Sequence, residues 1–198
     1  MRATVQSVER RPRPIRRLPA SGNAALAASA LIQAALGVEF LLSGLNKFAD
    51  PNFVANFATF VRSSPATTRG LLSPLIQSLV IPQLGLWASL IKFTEFGLGL
   101  VLLVGAAEIA RRRFQGRYAR QLGYEAPVAL VATLAGAVAA GLSLSIFLLS
   151  GGVLPTITAG RAFTSAIPVE LLIVPLGIAV AWLEANRFVV LKRASRPR

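Results

Sequence analysis

The sequence predicts an all-α integral membrane four-helix bundle with short interfacial helices in the first outer loop. Three observations predict it. Of the 198 residues, 54% are hydrophobic, and the mean hydropathy of +0.62 is too high for an ordinary soluble domain. The apolar residues gather in four runs of the length that a hydrocarbon core of about 30 Å demands, roughly 20 residues each. The 21 Lys and Arg, which give a formal net charge of +13, stand in blocks between those runs.

Residues 1–23 form a basic arm. The Arg/Pro-rich stretch from Arg10 to Pro19 has no apolar periodicity and is expected to be extended or disordered. It suits attraction to anionic lipid or docking of a partner subunit. A paired arginine ahead of Ala28-Ser29-Ala30 also has the look of a cleaved export signal, but the apolar run continues well past that point, which suits a retained span better.

The membrane domain is expected over 24–186, with spans at about 24–45, 84–107, 127–149 and 167–183, followed by a basic tail at 187–198. Pro127 and Pro168 fall at first turns, where a missing N–H has no intrahelical partner to lose. Pro175 falls mid-span and predicts a kink. Ala132, Gly136 and Ala140, four apart, predict close approach of the third span to another helix.

About 38 residues separate the first two spans, enough to require structure of their own. Asp50-Pro51 predicts a helix start, and Phe53, Val54, Phe57, Phe60 and Val61 recur on one face, so residues 51–62 read as an interfacial helix. Leu71 to Ile81, bracketed by Pro74 and Pro82, reads as a second interfacial or re-entrant piece. Either piece fits packing against the bundle or shielding of a lateral opening.

Orientation follows from the bias of Lys and Arg to cytoplasmic flanks. Arg2, Arg10, Arg11, Arg13, Arg16 and Arg17 precede the first span, Arg111, Arg112, Arg113, Arg117 and Arg120 lie between the second and third, and Arg187, Lys192, Arg193, Arg196 and Arg198 follow the fourth. The other two connections hold Lys47, Arg62, Arg69 and Arg161. A multi-pass protein of the cell (inner or plasma) membrane is expected, with both termini cytoplasmic.

Ionisable side chains inside spans are costly and mark candidate sites. Here they are Glu39, Lys92, Glu95 and Glu170, with Lys47 closing the first span. At 1.5 Å per residue, Glu39 falls roughly 9 Å and Lys92 roughly 12 Å below the outer ends of their spans, with Glu95 one turn deeper on the face of Lys92 and Glu170 nearer the outer surface. Two readings fit. Glu39, Lys92 and Glu95 neutralise one another and fix helix register, or they line an outward-facing pocket that hydrogen-bonds a lipid-soluble ligand such as a quinone, or relays a proton. Glu108 and Glu184, beside arginines at the cytoplasmic ends, read as solvated.

With no Cys and no His, thiol redox chemistry, haem ligation by those residues and nearly all zinc and copper sites are excluded. No metal site and no covalently held cofactor are expected. Nucleotide loops, nucleophile elbows and EF-hands are absent, and Gly151-Gly152 reads as a turn. Basic residues in blocks outside the spans fit lipid and other membrane subunits as partners, and not nucleic acid.

The segment Gly37–Phe48 (GVEFLLSGLNKF) followed by Asp50-Pro51 resembles the first-span signature of the DoxX-like (DoxX/DoxD) four-helix membrane protein family, and KFTEFGLGLVLLVG is similar to that family's second span. Gly44, Lys47 and Glu95 are the matching positions; Glu39 and Lys92 have no place in the pattern. The resemblance covers roughly residues 30–150. It implies a four-helix membrane protein associated with redox complexes, since some members are subunits of quinone-linked oxidoreductases such as the DoxD-type thiosulfate:quinone oxidoreductase. Three functions follow as expectations. The chain is an accessory or structural subunit of a respiratory or photosynthetic electron-transfer complex near a quinone site. Alternatively it is a membrane subunit of a quinone-linked oxidoreductase with its polar site in the outer half of the membrane. The third is a small transporter or channel, for which no inverted repeat is visible.

Overall fold

The computed structural model describes residues 20–69, 72–115, 123–152 and 167–194. These residues are mostly helical, with no strand among them, and include four helices long and apolar enough to cross a membrane, so the chain is an all-α, multi-pass membrane protein. The long helices are α1 (Ala20–Ala49), α5 (Leu84–Gln115), α6 (Glu125–Leu149) and α7 (Val169–Ala194). Three short ones, α2 (Phe53–Ser63), α3 (Pro65–Thr68) and α4 (Ser73–Leu75), fill the connection between α1 and α5.

All four long helices overrun the spans expected from hydropathy, α7 most of all. The reason is physical: apolar content stops at the edge of the hydrocarbon, whereas backbone hydrogen bonding continues through good helix formers such as Lys and Arg. The tail expected from residue 187 is therefore helical to Ala194, and Arg187 is buried. The arm before Ala20 and the connection from 153 to 166, with Arg161, lie outside the described residues.

The bundle is built from two antiparallel pairs, α1 with α5 and α6 with α7. Glycine sets both seams. A methyl added at Gly99 would stand 2.5 Å from the Leu41 amide nitrogen, and one at Gly44 would stand 2.7 Å from that of Phe96. In the second pair Gly136 and Gly177 face each other, each with room for a carbonyl oxygen 2.7 Å from where its Cβ would be. Small residues thus allow the backbones to touch, the packing that replaces hydrophobic association inside lipid. Of the stripe Ala132, Gly136 and Ala140, the last two accordingly pack on α7, while Ala132 lies against Gly105 of α5. Between the pairs lies an apolar core of Leu36, Phe40, Leu98, Leu102, Ala135, Ala139, Ile173 and Val180.

The first connection corrects two expectations. Helix α2 begins at Phe53, because the Asp50 carboxylate accepts from the Asn52 N–H (2.8 Å) and Asn56 Nδ2 (3.0 Å), holding Asp50 to Asn52 as a turn ahead of the helix. The stretch around 73–83 is not a separate piece. It runs into α5 through a π turn at Ile76–Val80 and a 3₁₀ turn at Ile81–Gln83, so that Ser73–Arg112 is a single apolar stretch. Pro82 lacks an N–H and would clash with a carbonyl one turn back; widening that turn relieves the clash. The Trp87 indole then donates to the Leu79 carbonyl at 3.1 Å. Phe57, Val61, Ile76, Leu84 and Ala88 form a second core that seats α2 on the head of α5.

Candidate functional site

Two polar clusters occupy opposite ends of the bundle. The first joins α1 to α5 near α2. Lys47 Nζ lies 2.5 Å from Glu95 Oε2, Ser43 Oγ donates to the same oxygen at 2.9 Å, and Lys47 also donates to Ser43 Oγ at 2.8 Å. Ser43 and Lys47 are one turn apart on α1, so both reach the same carboxylate. Glu95 is buried, and the Lys47 side chain is 24% exposed. The Lys47 ammonium lies 6.0 Å from the centre of the Phe53 ring, and on the same α1–α5 seam Phe48 packs edge-on against Phe93 and Phe96.

Of the five residues singled out from sequence, the structure brings together only Lys47 and Glu95. Lys92 sits with its ammonium 4.7 Å from the centre of the Phe48 ring, a cation–π contact, while Glu95 takes Lys47 as its cation. The expected match in depth between Glu39 and Lys92 is not realised. The α1–α5 register aligns Gly44 with Phe96 and Leu41 with Gly99, and puts Lys92 level with Phe48, nine residues beyond Glu39 or roughly 13 Å along the axis. Glu39 is exposed on the outer face of α1, and no hydrogen bond or ion pair holds its carboxylate among the described residues. Glu170 is half-buried in the first turn of α7, where a carboxylate faces unpaired N–H groups. No hydrogen bond joins it to the Lys47–Glu95 pair.

The second cluster ties all four long helices together at the end where α1 begins and α7 ends. Ser29 Oγ donates to Glu184 Oε1 at 2.6 Å, and Gln33 Nε2 donates to the same oxygen at 3.1 Å and to Ser29 Oγ at 2.9 Å. Arg187 Nη1 donates to Glu184 Oε2 at 3.0 Å, and its other terminal nitrogen lies 3.8 Å from Glu108 Oε1. Arg111 and Arg112 each donate to Glu108 at 3.0 Å. Arg112 Nη2 reaches Glu125 Oε1 at 2.6 Å. Glu184 and Gln33 are wholly buried, and Glu108 and Glu125 nearly so. The amide oxygen of Gln33 has no donor and points at Gly105, where a side chain would collide with it.

This corrects the reading of Glu108 and Glu184 as solvated carboxylates. Flanking arginines made them look like edge residues; instead each arginine one turn further on folds back over its glutamate. Three carboxylates and three guanidiniums balance, so burial leaves no uncompensated charge. The sequence signal was present in the Glu-to-Arg spacings of three and four, and in Ser29 and Gln33, polar residues one turn apart in an alanine-rich span. Glu125 and Ser43 carried no comparable signal.

Between the two clusters lies the apolar core, with no polar side chain bridging it among the described residues. An open groove of about 350 Å³ runs between α5 and α6, lined by Trp87, Leu90, Ile91, Thr94, Val138, Gly141 and Leu142. It is almost entirely apolar. Comparison with known proteins finds no matching family model, no matching curated protein and no matching solved structure.

Proposed function

We propose that the chain is a DoxX-like accessory subunit of an electron-transfer membrane complex, seated in the cell membrane with both termini cytoplasmic and placed beside a quinone route. The observation that carries this reading is the contrast between inside and outside. The carboxylates of both interior clusters have cations of their own, whereas Glu39, an ionisable side chain at membrane depth, faces outward. A charged side chain at the bilayer centre costs about 3 kcal/mol on insertion scales. A surface that carries such a cost fits contact with another subunit better than contact with lipid alone. The basic end of the bundle, with Arg111 and Arg112 half-buried, suits anionic headgroups.

The test is purification of a tagged chain from native membranes in mild detergent. Larger redox subunits should elute with it. Elution as a single chain with bound lipid overturns the proposal.

A second reading has its own support in the Lys47 ammonium, part-exposed and 6.0 Å from the centre of the Phe53 ring. That geometry suits donation to a quinone carbonyl with the ring stacked on aromatic faces, the isoprenoid tail lying along an apolar groove such as that between α5 and α6. In a quinone-linked oxidoreductase subunit, Glu95→Gln should abolish quinone reduction by the assembled complex; an unchanged rate removes the reading. A transporter gains no support from this geometry, because the apolar core separates the two clusters.

A further inference from the structure

The outward stripe of α1 consists of Leu31, Ala35, Val38, Leu42 and Asn46, all exposed, with Glu39 among them. Helical spacing makes it one surface. Ala35 and Leu42 lie one turn to either side of Glu39, and Asn46 lies two turns along, seven residues on. Neither the Glu39 carboxylate nor the Asn46 amide has a side-chain hydrogen bond among the described residues. Two polar groups on one lipid-facing stripe, beside a small residue that permits close approach, have the composition of a helix–helix contact inside the membrane.

We propose that this face docks one transmembrane helix of a different subunit, a helix that brings a hydroxyl, amide or basic side chain to the depth of Glu39 and a second polar group to Asn46. The inference deepens the accessory-subunit reading and rests on it. Charge complementarity selects the occupant. In a two-fold dimer about the membrane normal that packs this stripe against its own copy, contacting residues lie at equal depth, so Glu39 would face a second carboxyl. The nearest cation on the partnered α5, Lys92, is level with Phe48 and sits roughly 13 Å away along the axis. A second copy therefore supplies a donor only if one of the two carboxyls takes up a proton. A foreign helix with a donor at mid-depth supplies one.

The experiment uses the full-length tagged chain in native membranes, with a photo-reactive amino acid at position 42 and, separately, the variants Glu39→Leu and Glu39→Gln. Irradiation should link position 42 to another protein, within a membrane-spanning segment that carries a polar side chain within one turn of the linked residue. Glu39→Leu should lower recovery of that protein at least tenfold at unchanged level and melting temperature of the tagged chain, and Glu39→Gln, which still hydrogen-bonds, should retain part of it. Cross-linking to a second copy, or to lipid alone, overturns the inference. So does recovery that Glu39→Leu leaves intact. If larger subunits co-purify but are insensitive to Glu39, this inference fails and the accessory reading stands; if none co-purify with the unaltered chain, both fail.

Discussion

Ser29 on α1 and Glu184 on α7, 155 residues apart in the chain, share a buried hydrogen bond of 2.6 Å. With Gln33 and Arg187 they close the ring of helices where the first meets the last. The two tight pairs, α1–α5 and α6–α7, have extensive glycine seams of their own. Polar contacts at this end, with the apolar core beside them, join pair to pair.

Glu184→Ala should therefore be the most destabilising of the interior polar replacements. It leaves Arg187, 7% exposed at its side chain, without its closest carboxylate and Ser29 without its acceptor. Removing one member of a buried ion pair costs about 3–5 kcal/mol. Ser29→Ala should cost less, about 0.6 kcal/mol, the average for a hydrogen bond between membrane helices. Unfolding in detergent by a titrated denaturant measures both, and a Glu184→Ala effect no larger than that of Ser29→Ala would contradict the assignment.

Gly99 and Gly97, two residues apart on α5, should respond in opposite directions to alanine. A Cβ at Gly99 would lie 2.5 Å from the Leu41 nitrogen, in backbone that has no rotamer through which to yield. One at Gly97 meets nothing within 4 Å. Gly99→Ala should push α1 from α5 and cost about 1–3 kcal/mol, the range for overpacking. Gly97→Ala should be neutral or stabilising by up to about 1 kcal/mol through helix propensity. Thermal denaturation of the two variants in the same detergent is the check.

The reach of the sequence can be judged from these residues. Span number and approximate position were legible because bilayer thickness imposes a length on every helix independently of its neighbours. Register between helices imposes no such signal. Counting depth along each span separately set Glu39 beside Lys92, whereas the Gly44–Phe96 and Leu41–Gly99 approaches slide Lys92 to the level of Phe48. Lys47 and Glu95 were both legible as candidates, but their pairing depends on that register. The buried state of Glu184 was hidden for a different reason. Its nearest charges in sequence are basic and terminal, so it read as an edge residue, although the helix continues a further ten residues to Ala194.

At the other end of the bundle, Glu95→Gln should destabilise by about 2 kcal/mol. This is less than for a fully buried pair, because the partly exposed Lys47 can reach solvent or headgroups. The double replacement Lys47→Met with Glu95→Leu should recover most of that loss, since an apolar pair of similar volume carries no desolvation cost. A double-mutant cycle on unfolding free energy, from Lys47→Met, Glu95→Leu and the double replacement, gives the coupling, and strict additivity of the two single effects would show that the 2.5 Å contact contributes nothing.

Orientation can be tested directly, because the chain has no cysteine of its own. Asn52, exposed in the turn before α2, and Arg193, exposed in the last turn of α7, stand at opposite ends of the bundle. The excess of Lys and Arg flanking the first span, the middle connection and the fourth span predicts that Arg193 is cytoplasmic. A membrane-impermeant maleimide should then label Asn52→Cys in intact cells, and Arg193→Cys only after permeabilisation. Neither replacement removes a buried contact, so both variants should insert normally. The reverse pattern would turn the bundle over. The Lys47–Glu95 pair would then face the cytoplasm, and a quinone site at that pair would draw its protons from the cytoplasmic side of the membrane.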